Sequence, residues 1–134
     1  VYTDGGARGN PGPAGIGASI QDADGNELGT VSEYIGETTN NVAEYTSLIY
    51  ALQEATKRSC SNVLVRTDSQ LMQRQVTGKY KVKNPDLQRL HGMVMNLVDG
   101  FEQFEIEHVR RELNTHADRL ANEAFKNKAQ GSTQ

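Results

Sequence analysis

The chain has 134 residues, about one domain's length, and its 36% hydrophobic and 23% charged residues are typical of a soluble globular protein rather than a disordered or fibrous one. Its formal net charge of −3 argues against broad, nonspecific attraction to nucleic acid. The single cysteine excludes an intramolecular disulfide, and no apolar run approaches the ~18 residues of a membrane span. We therefore expect a cytoplasmic monomer without a membrane partner.

The N-terminal part of the chain predicts three antiparallel strands, at about 1–5, 14–22 and 27–36. The dipeptide Asp24-Gly25 between the second and third strands is typical of a hairpin turn. The first strand is short at its outer end, so we expect that the chain has been trimmed or lacks earlier residues.

The rest of the chain alternates helices and strands. Apolar residues that recur every three or four positions predict the longer helices, and Asn84-Pro85-Asp86 is a typical helix start. The predicted elements are a helix at 41–57, a strand at 62–68, a short helix at 69–76, a helix from about 85 to 100, a strand at 103–109 and a helix at 114–125. Both later strands follow a helix-length connection, so we expect each to run parallel to a neighbour.

The element order is therefore β-β-β-α-β-α-α-β-α, and no change in composition marks a linker. This order predicts a single mixed α/β domain over residues 1–126. The last residues, 127–134, offer little to bury, so we expect a flexible C-terminal tail.

Four acidic residues stand at the ends of predicted elements. Asp4 and Asp68 end strands, whereas Glu44 and Asp118 lie near the starts of helices. Each has an ordinary structural explanation. Glu44 could form a capping box with Asn41, Asp68-Ser69 could cap the next helix, Asp118 could interact with the helix dipole, and Asp4 could form an Asx turn.

Taken together, the four acids favour a different interpretation. The two strand-end acids follow apolar stretches, so they should meet at one end of the sheet, where ligand sites of open α/β sheets lie. Clustered carboxylates repel one another unless cations neutralise them, and an all-oxygen cluster suits Mg²⁺ or Mn²⁺. Two such ions ~3.5–4 Å apart can stabilise both the attacking and the leaving oxygen of a phosphodiester. The expected chemistry is phosphoryl transfer to water.

Five short segments resemble the type 1 ribonuclease H family, in the family's order and over residues 2 to about 125. They are YTDGG at 2–6, GNPGP at 9–13, TTNNVAE at 38–44, TDSQ at 67–70 and NTHADRLA at 114–121. The resemblance implies a ribonuclease H-like fold, with a five-stranded mixed sheet whose first three strands are antiparallel and which helices flank. It also implies a metal-dependent endonuclease that cuts the RNA strand of RNA–DNA hybrids and leaves 5′-phosphate and 3′-hydroxyl ends.

The resemblance assigns a role to each of the four acids. It implies that Asp4 is the shared ligand of two Mg²⁺ or Mn²⁺ ions. Glu44 and Asp68 would hold the ion on the leaving-group side, and Asp118 would hold the ion that activates the attacking water.

The resemblance also implies a set of contacts to the hybrid. RNA differs from DNA by its 2′-hydroxyl, which Gly5, Gly6 and Glu44 would contact. Four amides match positions near the minor groove of the hybrid, and one threonine matches a pocket for a DNA phosphate: Asn10, Asn40, Asn41, Gln70 and Thr39. As alternatives, residues 39–41 could serve only to start a helix, and the glycines could serve only to supply a positive φ.

The sequence departs from many family members in two places. The inserted basic helix and loop is reduced to residues 78–84, where Lys79, Lys81 and Lys83 alternate with Tyr80 and would share one side of an extended chain. We expect this basic edge to contact the DNA strand; a solvated loop is the alternative. Between positions 108 and 114 there is too little chain for the family's histidine-containing loop, so no histidine is assigned to catalysis.

Two other functions remain open from the sequence. A non-catalytic module could bind hybrids without cutting them, although a mere binder gains nothing from four clustered acids. A related DNA nuclease of the same superfamily is the other alternative, although the Asn-Asn and glycine-turn motifs favour RNA–DNA recognition.

Overall fold

The structure of the protein is a computed structural model that describes residues 1–131, with the side chains of residues 1–126. The strands are β1 (Tyr2–Ala7), β2 (Gly12–Gln21), β3 (Glu27–Thr38), β4 (Asn62–Thr67) and β5 (Gln103–His108). The helices are α1 (Asn40–Lys57), α2 (Gln70–Val76), α3 (Pro85–Asp99) and α4 (Thr115–Gly131). The predicted order of strands and helices is confirmed, and most ends differ by only a few residues. The sequence did not predict the short 3-10 turn Arg111–Leu113.

The five strands form one mixed sheet in the order β3-β2-β1-β4-β5. The first three pair antiparallel, and β4 runs parallel to both β1 and β5, as predicted. Thr3 of β1 lies opposite Thr67 of β4. Because these neighbouring strands are parallel, the residues that follow, Asp4 and Asp68, emerge at the same edge of the sheet.

Helices cover both faces of the sheet. Alternate residues of β2 point to opposite faces. Ala14, Ile16 and Ala18 are fully buried in a cluster with Ala43 and Ala51 of α1. Four apolar residues of α1 that recur every three or four positions are all buried, as the helix predicted from that spacing requires: Tyr45, Leu48, Leu52 and Ala55.

Helix α4 lies on the other face of β2, close to its backbone. A Cβ atom added at Gly15 would lie 2.5 Å from the carbonyl oxygen of Ala121, and one added at Gly17 would lie 2.4 Å from that of Ala117. No real side chain tolerates such distances to a backbone atom. The two glycines therefore allow α4, which carries Asp118, to pack directly on the strand.

Gly17→Ala should test this close packing. We expect a loss of about 3 kcal/mol in the free energy of unfolding, because the methyl group can be accommodated only if α4 moves. Gly92→Ala in α3 is the matched control. Nothing lies within 4 Å of the added Cβ there, so a gain of ~0.5–1 kcal/mol is expected from helix propensity. Equal denaturation midpoints for wild type and Gly17→Ala would show that the packing is not tight.

The last helix continues beyond its predicted end at Phe125. Its backbone is helical to Gly131, and residues 132–134 lie outside the described residues. The flexibility expected for residues 127–134 stays a prediction. Within residues 1–131, every helix is too short or too polar to span a bilayer.

Candidate active site

Four acidic side chains meet where β4 ends beside β1. One carboxylate oxygen from each of Asp4, Glu44 and Asp68 lies within 4.8 Å of the others. Asp118, in the first turn of α4, lines the same cavity, whose volume is about 340 Å³. The structure thus brings together the four acids that the sequence singled out, from β1, the residue after β4, and the helices α1 and α4.

Glu44 reaches the strand acids because α1 lies directly against β1. A Cβ added at Gly5 would lie 2.3 Å from the carbonyl oxygen of Ala43, so only glycine fits between strand and helix. The N–H of Gly5 donates a hydrogen bond of 3.3 Å to Oε1 of Glu44. This hydrogen bond fixes the carboxylate beside Asp4.

Capping does not explain Glu44. The N-cap of α1 is Thr39, whose side chain accepts a hydrogen bond from the N–H of Val42, and Asn41 lies inside the helix. The alternative interpretation of Glu44 as part of a capping box with Asn41 is therefore wrong. Glu44 also lies beyond the first turn, which contains no acidic residue.

Capping and turn formation do not explain Asp68 and Asp4 either. Of the pair Asp68-Ser69, Ser69 does cap α2, by accepting a hydrogen bond from the N–H of Met72, so the cap does not need the carboxylate of Asp68. Asp4 lies within β1, opposite Gly17 of β2, and not in an Asx turn. Asp118 does lie in the first turn of α4, where the helix dipole favours an acid.

Burial and mutual repulsion disfavour the charged forms of these carboxylates. Asp4 is only 9% exposed, and burial, followed by the charges of Asp68 and Asp118, raises its pKa to about 7. Burial and the charges of Asp4 and Asp68 raise the pKa of Glu44 well above its usual range. Burial also raises the pKa of Asp68, against the opposing charge of Arg111. The neighbouring positively charged side chains are therefore too few to neutralise the clustered carboxylates.

The donor set fits a divalent cation. Oε2 of Glu44 is buried without a hydrogen-bond partner among the described residues. An unpartnered buried carboxylate oxygen is costly unless something neutralises it. Because the three clustered groups are all carboxylates, without cysteine or histidine, they suit a hard, oxygen-preferring ion such as Mg²⁺ or Mn²⁺.

Sequence reasoning missed two residues near the acids. Arg111, in the 3-10 turn, lines the acidic cavity and opposes the effect of burial on the pKa of Asp68. Asn114 is buried, donates from Nδ2 to the carbonyl oxygen of Thr3 at 2.8 Å and opposes the rise that burial causes in the pKa of Asp68. The sequence does show a cation, Arg111, in the short segment before α4. That segment was interpreted only as too short for the family's histidine-containing loop.

The histidine nearest in sequence to Asp118 points away from the acids. His116 contacts Glu27 through Nε2 at 2.6 Å and Arg119 through Nδ1 at 2.7 Å, and it does not line the acidic cavity. His108 ends β5, and its charge opposes the rise that burial causes in the pKa of Asp68.

Gly5 and Gly6 both line the acidic cavity, and the alternative that they serve only to supply a positive φ is wrong. Both lie in β1, and neither has a positive φ; the positive value, 98°, belongs to Gly9 in the following turn. Gly5 is needed for the approach of α1. At Gly6 an added Cβ would meet only Oδ1 of Asn40, at 3.9 Å, which leaves room for a ligand.

Two exposed asparagines tie the turn after β1 to α1. Oδ1 of Asn40 accepts a hydrogen bond from the N–H of Ala7 at 2.7 Å, and Oδ1 of Asn10 accepts one from the N–H of Asn40 at 3.1 Å. Both side-chain oxygens are thus used internally. Across residues 1–126, neither amide nitrogen has a protein partner, so both remain as exposed donors.

A second cavity, of about 290 Å³, lies where the N-termini of α1 and α3 meet. Its walls include Asn10, Thr39 and Asn41 together with Asn84, which sequence reasoning treated only as a helix cap. Asn84 does cap α3, by accepting hydrogen bonds from the first-turn N–H groups. Gln70 lines neither cavity and is exposed at the start of α2.

The basic segment after α2 differs from the extended chain that was expected. Gly78 has a φ of 83°, and the N–H groups of Lys79 and Tyr80 both donate to the carbonyl oxygen of Arg74, so the segment begins as a turn. The Tyr80 hydroxyl accepts a hydrogen bond of 2.6 Å from Arg74. The three lysines at 79, 81 and 83 are exposed, and none forms an ion pair within the described part of the chain.

Comparisons with known proteins agree with this architecture. The reverse transcriptase-like family model matches residues 2–124. A bifunctional protein of Mycobacterium tuberculosis is 44% identical over 133 residues, which are 98% of this chain and 36% of that protein. This chain therefore spans about a third of the length of that curated relative.

Two solved structures are also similar. RNase H1 from the halophilic archaeon Halobacterium salinarum superposes with a TM-score of 0.91 at 42% identity, over 94% of this chain and 96% of that chain. LC11-RNase H1 in complex with an RNA/DNA hybrid superposes with a TM-score of 0.90 at 47% identity, over 96% of both chains. With this fold and with short connections at 77–84 and 109–114, the protein belongs to the type 1 ribonuclease H family, in a compact form without the inserted basic helix and the histidine-containing loop.

Proposed function

We propose that the protein is an endonuclease that hydrolyses the RNA strand of RNA–DNA hybrids with two divalent ions, Mg²⁺ or Mn²⁺. The observation that carries the proposal is the meeting of Asp4, Glu44, Asp68 and Asp118 in one cavity, with a buried, unpartnered oxygen on Glu44. The hybrid as substrate is supported by the similarity to LC11-RNase H1, which was solved with an RNA/DNA hybrid.

The arrangement of the acids supports their proposed division of labour. Asp4 lies within reach of Glu44 and Asp68, and it also interacts with Asp118, so it is suited to be the shared ligand. Two bound ions would stabilise the attacking water and the leaving 3′-oxygen, and the products would carry 5′-phosphate and 3′-hydroxyl ends. Arg111, which lines the cavity and interacts with Asp68, would bind a phosphate oxygen there.

The surroundings of the site suit a duplex with one RNA strand. The first turn of α1 separates the acidic cavity, which Asn40 lines, from the cavity between α1 and α3, which Thr39 and Asn41 line. Helix N-termini favour phosphate, so the second cavity would take a phosphate of the DNA strand while the RNA strand lies at the acids. The exposed amide nitrogens of Asn10 and Asn40 would then face the minor groove.

Cleavage assays on three duplexes test the proposal. Labelled hybrid, duplex DNA and duplex RNA are incubated with Mg²⁺, Mn²⁺ or a chelator, and the ends of the products are identified. We expect cleavage of the hybrid's RNA strand only when metal is present. Cleavage of duplex DNA alone would indicate the DNA nuclease, and hybrid binding without cleavage would indicate the non-catalytic module.

The basic segment should contribute to binding through charge. Replacing Lys79, Lys81 and Lys83 by alanine is expected to raise the dissociation constant for hybrid and to reduce the slope of log affinity against log salt, by up to ~0.9 for each phosphate that the variant no longer binds. The control is the double variant Lys57→Ala/Arg58→Ala, at the C-terminal end of α1, opposite the end that lines the acidic cavity. It should leave the dissociation constant and the salt slope near wild type. A slope unchanged in the triple variant would remove this segment from the interface.

A further inference from the structure

A third cavity lies beside the acidic one, on the side of α4. Its volume is about 130 Å³, and Asp4, Gly6 and Asp118 line both cavities. The far wall of the third cavity contains Arg8 and Phe125. A guanidinium group therefore lies next to the acids, at a position to which neither the sequence nor the proposed mechanism assigns a role.

The guanidinium of Arg8 is positioned by an aromatic ring and not by an acid. Its Cζ atom lies 3.8 Å from the centroid of the Phe125 ring. Among the described side chains, no carboxylate lies within 4.0 Å of its nitrogen atoms. Because stacking occupies a face of the planar guanidinium, the N–H donors along its edge stay free to bind two oxygens of an anion such as a phosphate.

The backbone that carries Arg8 is held on several sides. The N–H of Arg8 donates to the carbonyl oxygen of Pro13 at 2.7 Å, and a Cβ added at Gly12 would lie 2.2 Å from the carbonyl oxygen of Arg8. The Phe125 ring is in turn held edge-on by Tyr34, at 6.0 Å between centroids. The backbone hydrogen bond and the packed ring thus restrict the conformations of Arg8, which limits the entropy lost when it binds a ligand.

We propose that Arg8 binds the RNA-strand phosphate next to the scissile one, on the Asp118 side of the active site, and so positions the strand for cleavage. The inference rests on the proposed function. The phosphate is assigned to the RNA strand because the cavity of Arg8 shares two of the four acids with the site of cleavage. Arg111 on the Asp68 side and Arg8 on the Asp118 side would then hold phosphates at both flanks of a cluster that otherwise repels them.

Kinetics of three variants test the contact. Arg8→Ala should raise the KM for hybrid about tenfold, the value of one charge-assisted hydrogen bond, while kcat changes less than about threefold. Arg8→Lys should recover part of the affinity, because it keeps the charge but not the bidentate edge. Arg58→Ala removes a guanidinium at the far end of α1 and should behave as wild type. A KM for Arg8→Ala equal to that of Arg58→Ala would overturn the inference.

A modified substrate locates the phosphate. Hybrids carry one uncharged methylphosphonate at successive RNA positions around the cleavage site. One flanking position should raise the KM of the wild type about tenfold but add nothing to that of Arg8→Ala, because this variant no longer binds the phosphate. If the two changes multiply at every position, Arg8 contacts no RNA phosphate. A role in folding alone would lower the melting temperature and leave this profile unchanged.

Binding separates this inference from the proposed function. If the wild type does not cleave the hybrid, the proposed function fails. Dissociation constants for the hybrid, measured by fluorescence anisotropy with Asp4→Asn and with Asp4→Asn/Arg8→Ala, still decide the role of Arg8. The additional substitution should weaken binding about tenfold and reduce the salt slope by ~0.9, the value for one phosphate. Equal constants and slopes would overturn the inference.

Discussion

Asp4→Asn should reduce hydrolysis of the hybrid by about three orders of magnitude or more while the protein still folds. The asparagine keeps the shape of the side chain but removes the negative charge that two ions would share. In the presence of a chelator, the melting temperature of Asp4→Asn should equal or exceed that of the wild type. Burial and the neighbouring carboxylates raise the pKa of Asp4 to about 7, and an amide at this position relieves the repulsion while donating to those carboxylates.

An exposed aspartate provides the control for this experiment. Asp24→Asn, in the turn between β2 and β3, changes the same charge away from the acidic cavity. It should leave both turnover and melting temperature near wild type. A sharp fall in the melting temperature of metal-free Asp4→Asn would mean that Asp4 has a structural role, and near-normal turnover would remove it from the metal site.

The metal-free protein should lose stability as the pH rises from about 4 to 7. The pKa of Asp4 is about 7 in the folded protein against an ordinary 3.8, so the folded state binds this proton more tightly than the unfolded chain. The resulting stabilisation is complete below about pH 4 and is lost as the pH rises through about 7. Its size is on the order of a few kcal/mol. The raised pKa values of Glu44 and Asp68 act in the same direction.

Thermal denaturation of two proteins isolates this effect from other titrating groups. Wild type and Asp4→Asn are compared between pH 4 and 8 in chelator, and then at pH 7.5 with Mg²⁺ or Mn²⁺. The two should melt at similar temperatures at pH 4, and the variant should melt higher at pH 8. Added metal should raise the melting temperature of the wild type more than that of Asp4→Asn. A difference between the proteins that does not vary with pH would contradict the buried, repelling cluster.

The order of the elements and the pairing of the strands follow from local chemistry that can be read along the chain. A few neighbouring residues determine the hairpin turn at Asp24-Gly25 and the helix start at Asn84. The helix-length connections before β4 and β5 determine that each of these strands runs parallel to a neighbour. The position of Asp68 directly after β4 follows from the same patterns, whereas Asp4 lies within β1, which continues to Ala7 instead of ending near residue 5. The parallel pairing of β1 with β4 places the two acids side by side.

The neighbours of the acids depend on contacts between residues far apart in the chain. A positive φ was one alternative for Gly5 from the sequence, but the structure needs glycine there because the backbone of Ala43 lies against β1. The position of Arg111 at the acidic cavity and the stacking of Arg8 on Phe125 likewise depend on how α4 and the short turn before it pack on the sheet. Periodicity and capping patterns indicate the helix or strand to which a residue belongs. Contacts between residues far apart in the chain depend instead on how several elements pack together. The sequence alone therefore determined which elements form and where their acids fall, and tertiary packing decided which cations and amides surround those acids.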